Sequence, residues 1–398
     1  MTPASPFAAL GLCSGLLQAV QTAGYRTPTP VQAAVIPAVL AGRDVRARAA
    51  TGSGKTAAFG LPTLQRLLDQ PRMPSARGNR IAVLVLAPTH ELVVQIGEVL
   101  SGFARALDAR IKISAVYGGV AINPQLMALR GGADIVVATP GRLLDLHRQN
   151  AVEFATLRTL VLDEADRMLS LGFREELEQL LALLPERRQN LLFSATFPEA
   201  LTQTFLHDPF DVDVTQAQAS SSAADSQGAR EPDIEQHVYA VDRERKSMLL
   251  IQLLQQRQLQ RVLVFISMKK TADALANTLN RAQIQAAVFH ADRSQSARTR
   301  ALADFRSGEL RVLIATDLAA RGLDIDDLSV VINFELPRSP NDYLHRIGRT
   351  GRAGKAGLAI SLICRAEEQH FRVIEKRIKK RLPREQVAGF EPRMEPGV

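Results

Sequence analysis

The sequence predicts an α/β protein of two domains, each with a mostly parallel, doubly wound β-sheet, joined by a flexible linker. Three observations lead to this prediction. The chain has 398 residues, more than one ordinary domain holds. Short apolar strand patterns alternate with helical patterns over residues 43–214 and again after His237. Between the two runs, residues 216–232 are rich in Ala, Ser, Gln, Asp and Gly and have no apolar period.

Domain boundaries follow from these segments. We expect an N-terminal domain over 1–215, a linker over 216–232, a C-terminal domain over 233–382 and a short tail over 383–398.

Composition points to a polyanionic partner. The formal net charge of +8 favours nucleic acid, although solubility alone can explain such an excess. Aromatic residues make up 5% of the chain and Trp is absent, so contact with phosphates and sugars is favoured over stacking on bases.

Localisation is predicted from the cysteines and the apolar runs. Cys13 and Cys364 match no metal-binding spacing, and two cysteines in a chain this long indicate a reducing compartment. The N-terminus lacks the pattern of a signal peptide, and no apolar run approaches about 20 residues. We therefore expect a cytoplasmic protein with no membrane contact.

A candidate adenine-binding segment comes early in the chain. Thr29 and Pro30 fit the start of a helix, which places Gln32 in its first turn. The amide of Gln32 can donate to and accept from adenine at once, and Tyr25 can stack on the same ring. Taken alone, a solvated Gln on a helix is the commoner explanation.

The next segment, Ala49-Ala50-Thr51-Gly52-Ser53-Gly54-Lys55-Thr56, is a Walker A loop before a helical pattern. Its glycines let backbone N–H groups turn toward phosphates, Lys55 reaches the β- and γ-phosphates, and the Thr56 hydroxyl is available to Mg²⁺. The preceding strand is unusual, because Arg46 and Arg48 alternate with small apolar residues where a parallel strand should be buried.

Three further strands of the first domain end in small, polar or basic residues that open a helix. The pairs that follow strands 81–86, 111–116 and 134–138 are Thr89 and His90, Gly118 and Gly119, and Thr139 and Arg142. Such ends can hold phosphates through backbone N–H groups. Each alone is more often plain helix capping, but three on one sheet edge predict a track for a nucleic-acid backbone.

An acidic strand end completes the first domain's candidate residues. The apolar strand at 160–162 leads into Asp163-Glu164-Ala165-Asp166. One Asp can hold Mg²⁺, and the adjacent Glu can orient a water for attack on a phosphate. Considered alone, these residues fit an acidic turn equally well, and the Walker A loop favours the metal site. A strand at 191–193 then ends in Ser194-Ala195-Thr196.

The second domain repeats the alternation without a second Walker A loop. Strands are predicted at 237–241, 262–266, 286–289, 312–315, 330–334 and 358–363. Arg321 follows one strand, and Arg346, Arg349 and Arg352 cluster in one segment. Arg side chains can complete charge neutralisation on a transferred phosphate, so this segment is a candidate for that role. A basic surface loop is the alternative explanation. Residues 374–384 predict a basic helix packed by its apolar stripe, with an RNA-binding patch as the alternative.

Together these segments resemble the motifs of DEAD-box RNA helicases over nearly the whole chain. The matching segments are Phe7, 24–32 (the Q motif), 49–56, 88–92, 118–119, 139–142, 163–166, 194–196, 316–324 and 345–352. Residues 298–305 and 383–390 are most similar to the bacterial RhlE group. The resemblance implies two tandem RecA-like domains that bind ATP and RNA across their cleft.

Roles for individual residues are implied by this resemblance. It implies that Tyr25 and Gln32 bind adenine and that Thr56 and Asp163 bind Mg²⁺. Glu164 would position the attacking water. Catalysis would also involve Lys55 and the fingers Arg349 and Arg352, and the nucleotide would contact Thr51, Gly52, Ser53, Gly54, Gly322 and Asp324. Coupling is implied for Asp166, Ser194, Thr196 and His345, and RNA contact for Thr89, His90, Gly118, Gly119, Thr139, Arg142, Arg298 and Thr316.

Some positions depart from the family's usual pattern. Ala50 replaces a Gln, His90 replaces an Arg, Ala291 replaces a Gly, and 266–268 is Ile-Ser-Met. Ala50 should leave phosphate binding intact, because backbone groups hold the phosphates. His90 and Ala291 lie where the family touches RNA, and His is mostly neutral at pH 7. We therefore expect intact ATPase chemistry and a weaker hold on RNA.

The function predicted from the sequence is an ATP-dependent RNA helicase that contacts the RNA backbone and locally unwinds short duplexes. An ATP-gated RNA clamp or remodelling factor with little unwinding is the alternative, and a related DNA helicase is a second. A monomer is expected, and ribosomal or RNA-turnover proteins are the partner classes the resemblance implies.

Overall fold

Two seven-stranded sheets organise the chain, one in each of its two units, Met1–Ser226 and Gln227–Val398. The computed structural model describes residues 6–49, 52–69, 78–107, 109–194, 196–197, 205–214, 234–290, 292–320, 328–351 and 356–393. All pairings between its named strands are parallel. The predicted fold class, two tandem doubly wound α/β domains, is confirmed.

The first unit has its sheet in the order β3-β4-β2-β5-β6-β1-β7. Its strands are β1 Val45–Arg48, β2 Ile81–Leu86, β3 Ile113–Val116, β4 Ala133–Ala138, β5 Thr159–Asp163, β6 Gln189–Ser194 and β7 Phe210–Asp213. Its described helices are α1 Ser14–Thr22, α2 Pro30–Leu40, α3 Lys55–Asp69, α4 His90–Ala104, α5 Asn123–Ala128, α6 Pro140–Arg148, α7 Ala165–Ser170 and α8 Arg174–Leu183.

Apolar residues cover both faces of this sheet. Within β5, Val161 packs in one hydrophobic cluster, whereas Leu160 and Leu162 pack in a second cluster on the other face. A parallel strand covered by helices on both faces reads as a continuous apolar run, and this run was visible in the sequence.

The arginines of β1 have partners on β7. Arg46 donates to both carboxylate oxygens of Asp211, at 2.5 and 2.6 Å, and Arg48 donates to Asp213 at 3.1 Å. Both guanidinium groups also lie over the ring of Phe197, at 5.6 and 5.2 Å from its centroid. Strand β7 was not predicted, and its aspartates explain how a strand with alternating arginines joins the sheet.

The second unit has its sheet in the order β10-β11-β9-β12-β13-β8-β14. Its strands are β8 Ile234–Ala240, β9 Val262–Ile266, β10 Ala286–Phe289, β11 Val312–Thr316, β12 Val330–Asn333, β13 Gly357–Ile363 and β14 Arg384–Glu385. Its described helices are α9 Lys246–Gln256, α10 Lys269–Arg281, α11 Gln295–Ser307, α12 Asp317–Ala320, α13 Pro340–Ile347 and α14 Glu368–Ile378. The strand order of the first unit is therefore repeated, although the two sequences show no repeat.

The basic segment at 374–384 differs from its predicted form. The helix ends at Ile378, because Lys379 adopts the left-handed conformation with φ 52°. Arg384 then forms ion pairs with Glu368 and Glu375 and begins β14, which pairs with β8. Pro383, which cannot donate a helical hydrogen bond, also disfavours a helix through this position. The prediction of one helix over 374–384 is wrong beyond Ile378.

Among the described residues, no helix combines the length and the apolar character that a membrane span needs.

Candidate functional site

Most of the first unit's candidate residues lie just after the carboxyl ends of its parallel strands, which form one edge of the sheet, called here the carboxyl edge. Because all strands are parallel, the segments after β1, β6 and β5 are neighbours, and the segments after β2, β4 and β3 follow on the same edge. The predicted phosphate, acidic and coupling residues occupy the first three positions. The predicted RNA-contacting residues occupy the other three. The ends of parallel strands are where α/β proteins bind ligands.

The phosphate loop is folded against α2 and the acidic strand end. Gly52 and Gly54 have φ of 78° and 89°, a conformation that suits glycine. The Lys55 amine donates to the carbonyl of Ala49 at 3.3 Å and lies 4.0 Å from a carboxylate oxygen of Asp163. The Ser53 hydroxyl is buried without a hydrogen-bond partner among the described residues. An unsatisfied donor in such a loop suits a bound oxyanion.

Gln32 connects the N-terminus of α2 to this loop. Its amide oxygen accepts from the Thr29 N–H at 2.9 Å, while its own N–H donates to the Thr29 hydroxyl at 3.4 Å, forming a capping box. Its amide nitrogen donates to the carbonyl of Gly54 at 3.2 Å. The residue is fully buried. The described residues offer no acceptor to its second amide hydrogen. Tyr25 is half-buried, with its ring centroid 6.1 Å from that of Phe103.

Asp163 is a buried carboxylate with an altered pKa. It is 2% exposed, and burial raises its pKa to about 6 despite the nearby Lys55 amine, which lowers it. The negative charges of Glu164 and Asp166 also raise the pKa, and the Glu164 N–H, donating at 3.0 Å, lowers it. Such a group gains from a bound cation, because its own partners do not offset the cost of burial.

Glu164 has a strained backbone. Its φ and ψ are 52° and 50°, the left-handed conformation that L-residues rarely adopt, and it caps α7. A carboxylate oxygen of Glu164 accepts from the guanidinium of Arg167 at 2.7 Å. Arg167 is itself 8% exposed. The turn and this ion pair together fix the direction of the Glu164 carboxylate.

The segments after β5 and β6 are joined by hydrogen bonds. The Asp166 N–H donates to the Ser194 hydroxyl at 3.2 Å, and Ser194 donates to the carbonyl of Thr196 at 2.5 Å. The Thr196 hydroxyl in turn donates to the Asp166 carboxylate at 3.2 Å. The three predicted coupling residues of the first unit therefore form one closed network.

The donor set at this edge suits Mg²⁺. In the described part of the chain, no group of three or more His, Cys, Asp or Glu side chains could hold a metal ion by itself. Mg²⁺ does not need such a group, since it is usually bound through one or two carboxylates together with water and substrate phosphates. Asp163 and the Thr56 hydroxyl, in the first turn of α3, are oxygen ligands of this kind.

The loop after β3, Tyr117-Gly118-Gly119-Val120, is held from three directions. Gln125 makes two hydrogen bonds with the backbone of Tyr117, at 3.1 and 3.0 Å, and Arg142 donates to the carbonyl of Val120 at 2.8 Å. The ring of His90 stacks on that of Tyr117, with centroids 3.6 Å apart. Side chains added at Gly118 or Gly119 would meet no atom within 4 Å, so this fixed glycine backbone faces open space.

Thr89 and Thr139 open the helices that follow β2 and β4. The Thr89 hydroxyl accepts from the Leu92 N–H at 3.4 Å, whereas Thr139 makes no capping bond with its side chain. Thr139 is 8% exposed. Both therefore lie at helix N-termini, as predicted, and their backbone N–H groups are on the same sheet edge as the glycine loop.

The arginine cluster of the second unit divides into different environments. Arg346 is 2% exposed and makes a two-fold ion pair with Asp317, at 2.5 and 2.6 Å. It also donates to Asn333 and to the carbonyl of Glu335, so its guanidinium is engaged within the second unit. Arg349 is 4% exposed, and its carbonyl accepts from the Leu328 N–H. Thr316 ends β11, while Arg298 and His345 lie on α11 and α13.

Several predicted residues lie outside the described residues. They are Thr51, Gly322, Asp324 and Arg352 of the candidate site, Arg321, and the departures Ala50 and Ala291. Reasoning from the sequence also missed three residues that support the site, Arg167, Gln125 and Tyr117. The spacing of Arg167 three residues after Glu164 on a helix was a usable signal. Gln125 and Tyr117 had none, because their contacts depend on the tertiary structure.

Two family models match the chain. Residues 29–204 match the DEAD/DEAH box helicase model, and residues 245–354 match the helicase conserved C-terminal domain. DEAD-box ATP-dependent RNA helicase CshA of Streptococcus pneumoniae is 40% identical over 379 residues, covering 94% of this chain and 69% of that protein. The chain therefore belongs to the family of DEAD-box ATP-dependent RNA helicases.

The chain spans about three fifths of the length of another relative and almost all of two solved structures. ATP-dependent RNA helicase DeaD of Escherichia coli is 40% identical over 388 residues, which are 97% of this chain and 59% of that protein. The structure of S. cerevisiae Dbp5 bound to RNA and ADP BeF3 matches with a TM-score of 0.79 at 28% identity, covering 98% and 96% of the two chains. A DEAD box protein from Methanococcus jannaschii matches at 35% identity and a TM-score of 0.51, covering 96% and 99%.

Proposed function

We propose that this chain is an RNA-stimulated ATPase that separates short RNA duplexes. The observation that carries the proposal is the carboxyl edge of the first sheet. There the phosphate loop, the acidic strand end and the Ser194 segment lie side by side and are connected by Lys55 and Asp166. Relatives named as ATP-dependent RNA helicases, and a similar structure bound to RNA and ADP BeF3, support ATP and RNA as the ligands.

Nucleotide binding is assigned to the loop and its neighbours. Backbone N–H groups of residues 51–56, the Ser53 hydroxyl and the Lys55 amine would hold the phosphates. Gln32 and Tyr25 would contact adenine. Thr56 and Asp163 would hold Mg²⁺, which when bound neutralises charge on the phosphates. Gly322 and Asp324 of the second unit would add contacts to the nucleotide.

Hydrolysis is assigned to Glu164 as the residue that orients the attacking water. Its carboxylate is aimed by the left-handed turn and by Arg167, so little reorganisation is needed when ATP binds. Arg349 and Arg352 would neutralise charge on the transferred phosphate. Asp166, Ser194, Thr196 and His345 would couple hydrolysis to RNA.

RNA is assigned to the other half of the edge and to Arg298 and Thr316. The open glycine loop, Thr89, His90, Thr139 and Arg142 present mainly backbone groups and one guanidinium. Such a surface contacts phosphates and sugars, so binding would depend little on RNA sequence and would weaken with salt. When ATP binds, one strand of the RNA duplex would be bent and the other expelled.

The Glu164→Gln variant tests this assignment. We expect ATP hydrolysis to fall by at least about a hundredfold, with or without RNA, while a fluorescent ATP analogue still binds. RNA-stimulated hydrolysis retained in this variant would refute Glu164 as the orienting group. Replacing ATP by GTP tests whether Gln32 selects adenine. Replacing RNA by DNA as the activator of hydrolysis tests the alternative of a related DNA helicase.

An ATP-gated RNA clamp with little unwinding is the second candidate. The replacement of Arg by His90 favours it, because a weaker hold on RNA leaves less binding energy for separating the two RNA strands. A strand-displacement assay on a short duplex decides between the two. ATPase stimulation by RNA without displacement would identify a clamp.

Finer assignments belong to the same proposal. Residues 298–305 and 383–390 support membership of the RhlE group, and the two widely separated free cysteines support a cytoplasmic location. We propose domain boundaries of 1–215, 216–232, 233–382 and 383–398, a monomer, and ribosomal or RNA-turnover proteins as partners.

A further inference from the structure

We propose that the end of α14 and the turn after it form a second RNA-binding surface, beside the edge strand β14 of the second sheet and five strands away from Thr316 on β11. This basic surface consists of the exposed residues Lys376, Arg377, Lys379, Lys380 and Arg381. The proposal rests on the proposed function in one respect, that RNA is the polyanion.

The acidic residues around this surface are already neutralised. Arg384 forms ion pairs with Glu368 at 2.8 Å and Glu375 at 2.7 Å, and Lys246, which is 3% exposed, pairs with Glu367 at 2.7 Å. These are the three acidic residues of segment 365–384. In the described part of the chain, Lys376, Lys379, Lys380 and Arg381 form no salt bridge. Their charge is therefore available to a partner.

The same contacts fix the shape of the surface. The Glu375 carboxylate accepts from the Leu382 N–H at 2.8 Å, and Leu382 is 3% exposed. Arg384 also lies over the ring of Phe371, 4.9 Å from its centroid. The turn is thereby held against α14 and borders a cleft of 630 Å³. A fixed array of cations loses less conformational entropy on binding than a mobile tail.

The position of the surface follows from the strand directions. Helix α14 starts after the carboxyl end of β13 and packs on the sheet through Phe371 and Ile374, in one cluster with Val238. The turn then leads into β14, which is parallel to β8. Arg384 pairs beside Val238, the fifth of the seven residues of β8, so the turn before Arg384 lies along the lateral edge of the sheet, on the amino side of that level. Thr316 is at the carboxyl end of β11, five strands away from β14 in the sheet order.

The side chains favour a nucleic-acid backbone over other polyanions. Four of the five cations fall within residues 376–380 and the next position adds the fifth, and none of these positions is aromatic, so phosphates can be contacted without stacking on bases. An anionic membrane is the competing partner, since Val373 on the same helix is 51% exposed. One exposed apolar side chain gives little insertion, so RNA is the better match.

The test compares two triple variants of the full chain. One is Lys376→Gln with Lys379→Gln and Lys380→Gln. Its control is Arg130→Gln with Arg187→Gln and Arg281→Gln, which removes the same charge at exposed positions elsewhere. RNA affinity is measured by fluorescence anisotropy over a range of salt concentrations, with a 30-nucleotide and a 6-nucleotide RNA. Five strand spacings separate β11 from β14, about 24 Å in the plane of the sheet, and the path over the covering helices is longer, so we expect only the longer RNA to occupy both surfaces.

We expect the lysine variant to bind the 30-nucleotide RNA about tenfold more weakly, with a log–log salt slope smaller by about 2. Its affinity for the 6-nucleotide RNA falls less than threefold, and the control changes both affinities less than threefold. Equal behaviour of the two variants would overturn the proposal. So would a loss of binding to vesicles containing phosphatidylserine with unchanged RNA affinity.

Failure of the proposed function gives a different result. If RNA does not stimulate ATP hydrolysis by the unmodified chain, the function is wrong, yet anisotropy still tests the surface. If RNA stimulates hydrolysis and the two triple variants bind RNA equally, only the second surface is refuted. Unfolding curves that match those of the unmodified chain confirm that both variants fold.

Discussion

At the scale of single residues, the acidic strand end combines burial with an uncommon backbone conformation. Asp163 is buried beside Lys55, and Glu164 is held in the left-handed region by the turn into α7. The residue types were recognisable from the sequence, because Asp and Glu after an apolar strand form a known pattern. Their states were not, since the pKa and the φ angle depend on Lys55, Arg167 and the covering helices.

Replacement of Asp163 by Asn should change how stability depends on pH. The folded-state pKa of about 6 lies above the ordinary value of 3.8, so protonated Asp163 is favoured by folding. Its stabilising contribution is complete below pH 3.8 and is lost as pH rises through about 6. We expect the free energy of unfolding of Asp163→Asn, relative to that of the unmodified chain, to rise by up to about 3 kcal/mol between pH 4 and pH 7.

Denaturant unfolding without Mg²⁺ and ATP, at both pH values, measures this difference. The variant's stability relative to the unmodified chain should rise with pH. A constant difference would mean that Asp163 is ionised across this range in the folded protein.

His90 tests whether a ring at this position acts by stacking. In the structure it is stacked on Tyr117, so we expect His90→Ala to free the glycine loop and weaken RNA binding about fivefold. His90→Phe keeps an aromatic ring without nitrogen atoms and should retain most of the affinity. RNA titrations of ATPase activity measure the effect. Equal losses in the two variants would show that His90 acts through its nitrogen atoms.

At the scale of elements, α2 and the phosphate loop are built against each other. A methyl group on Gly54 would approach the Gln32 amide nitrogen to 2.4 Å, and Gly54 has φ of 89°. The Walker A pattern predicted this loop, and Thr29-Pro30 predicted the helix start. That Gln32 caps α2 and bonds the loop as well could not be predicted, because it requires the distance between the two segments.

Gly54→Ala should therefore weaken nucleotide binding through the fold of the loop. The strained φ and the contact with Gln32 together cost about 2 kcal/mol, equivalent to a loss of roughly thirtyfold in ATP affinity. Equilibrium binding of a fluorescent ATP analogue measures it. Gly102→Ala, in α4 with open space around it, is the control and should raise stability by about 0.5–1 kcal/mol. Unchanged ATP affinity in Gly54→Ala would contradict this reasoning.

Strand partners show the same limit of prediction. The arginines of β1 looked unsuited to a buried strand because their partners, Asp211 and Asp213, come 165 residues later. Likewise, β14 was predicted as part of a helix, since the apolar spacing of 374–384 continues past Ile378. Local patterns predicted most of the strands and helices, whereas the partners of Arg46, Arg48 and Arg384 depend on how the chain folds back.

At the scale of the whole molecule, the hydrophobic clusters each belong to one unit. The two-domain organisation was predicted from the sequence, whereas the proposed linker over 216–232 lies outside the described residues. The repeated strand order was not predicted, because equal topology does not require similar sequences.

Cleavage of the connection between the units should leave both units folded but abolish the stimulation of ATPase activity by RNA. With a protease site inserted in 216–232, we expect both fragments to unfold cooperatively after cleavage. RNA-stimulated ATPase should fall to the unstimulated level at about 1 µM protein, because the assigned residues divide between the fragments and their effective concentration is lost. The uncut insertion variant is the control. Stimulation that survives cleavage would show that one unit suffices.

In both sheets, the first strand of the unit lies between the last two. Strand β1 pairs with β6 and β7, and β8 pairs with β13 and β14. During translation, β8 therefore leaves the ribosome with neither neighbour available, and waits on the order of ten seconds for them. An unpaired strand can join a strand of another nascent chain. The interval before β13 and β14 are made is therefore the time in which pairing between nascent chains competes with completion of the second sheet.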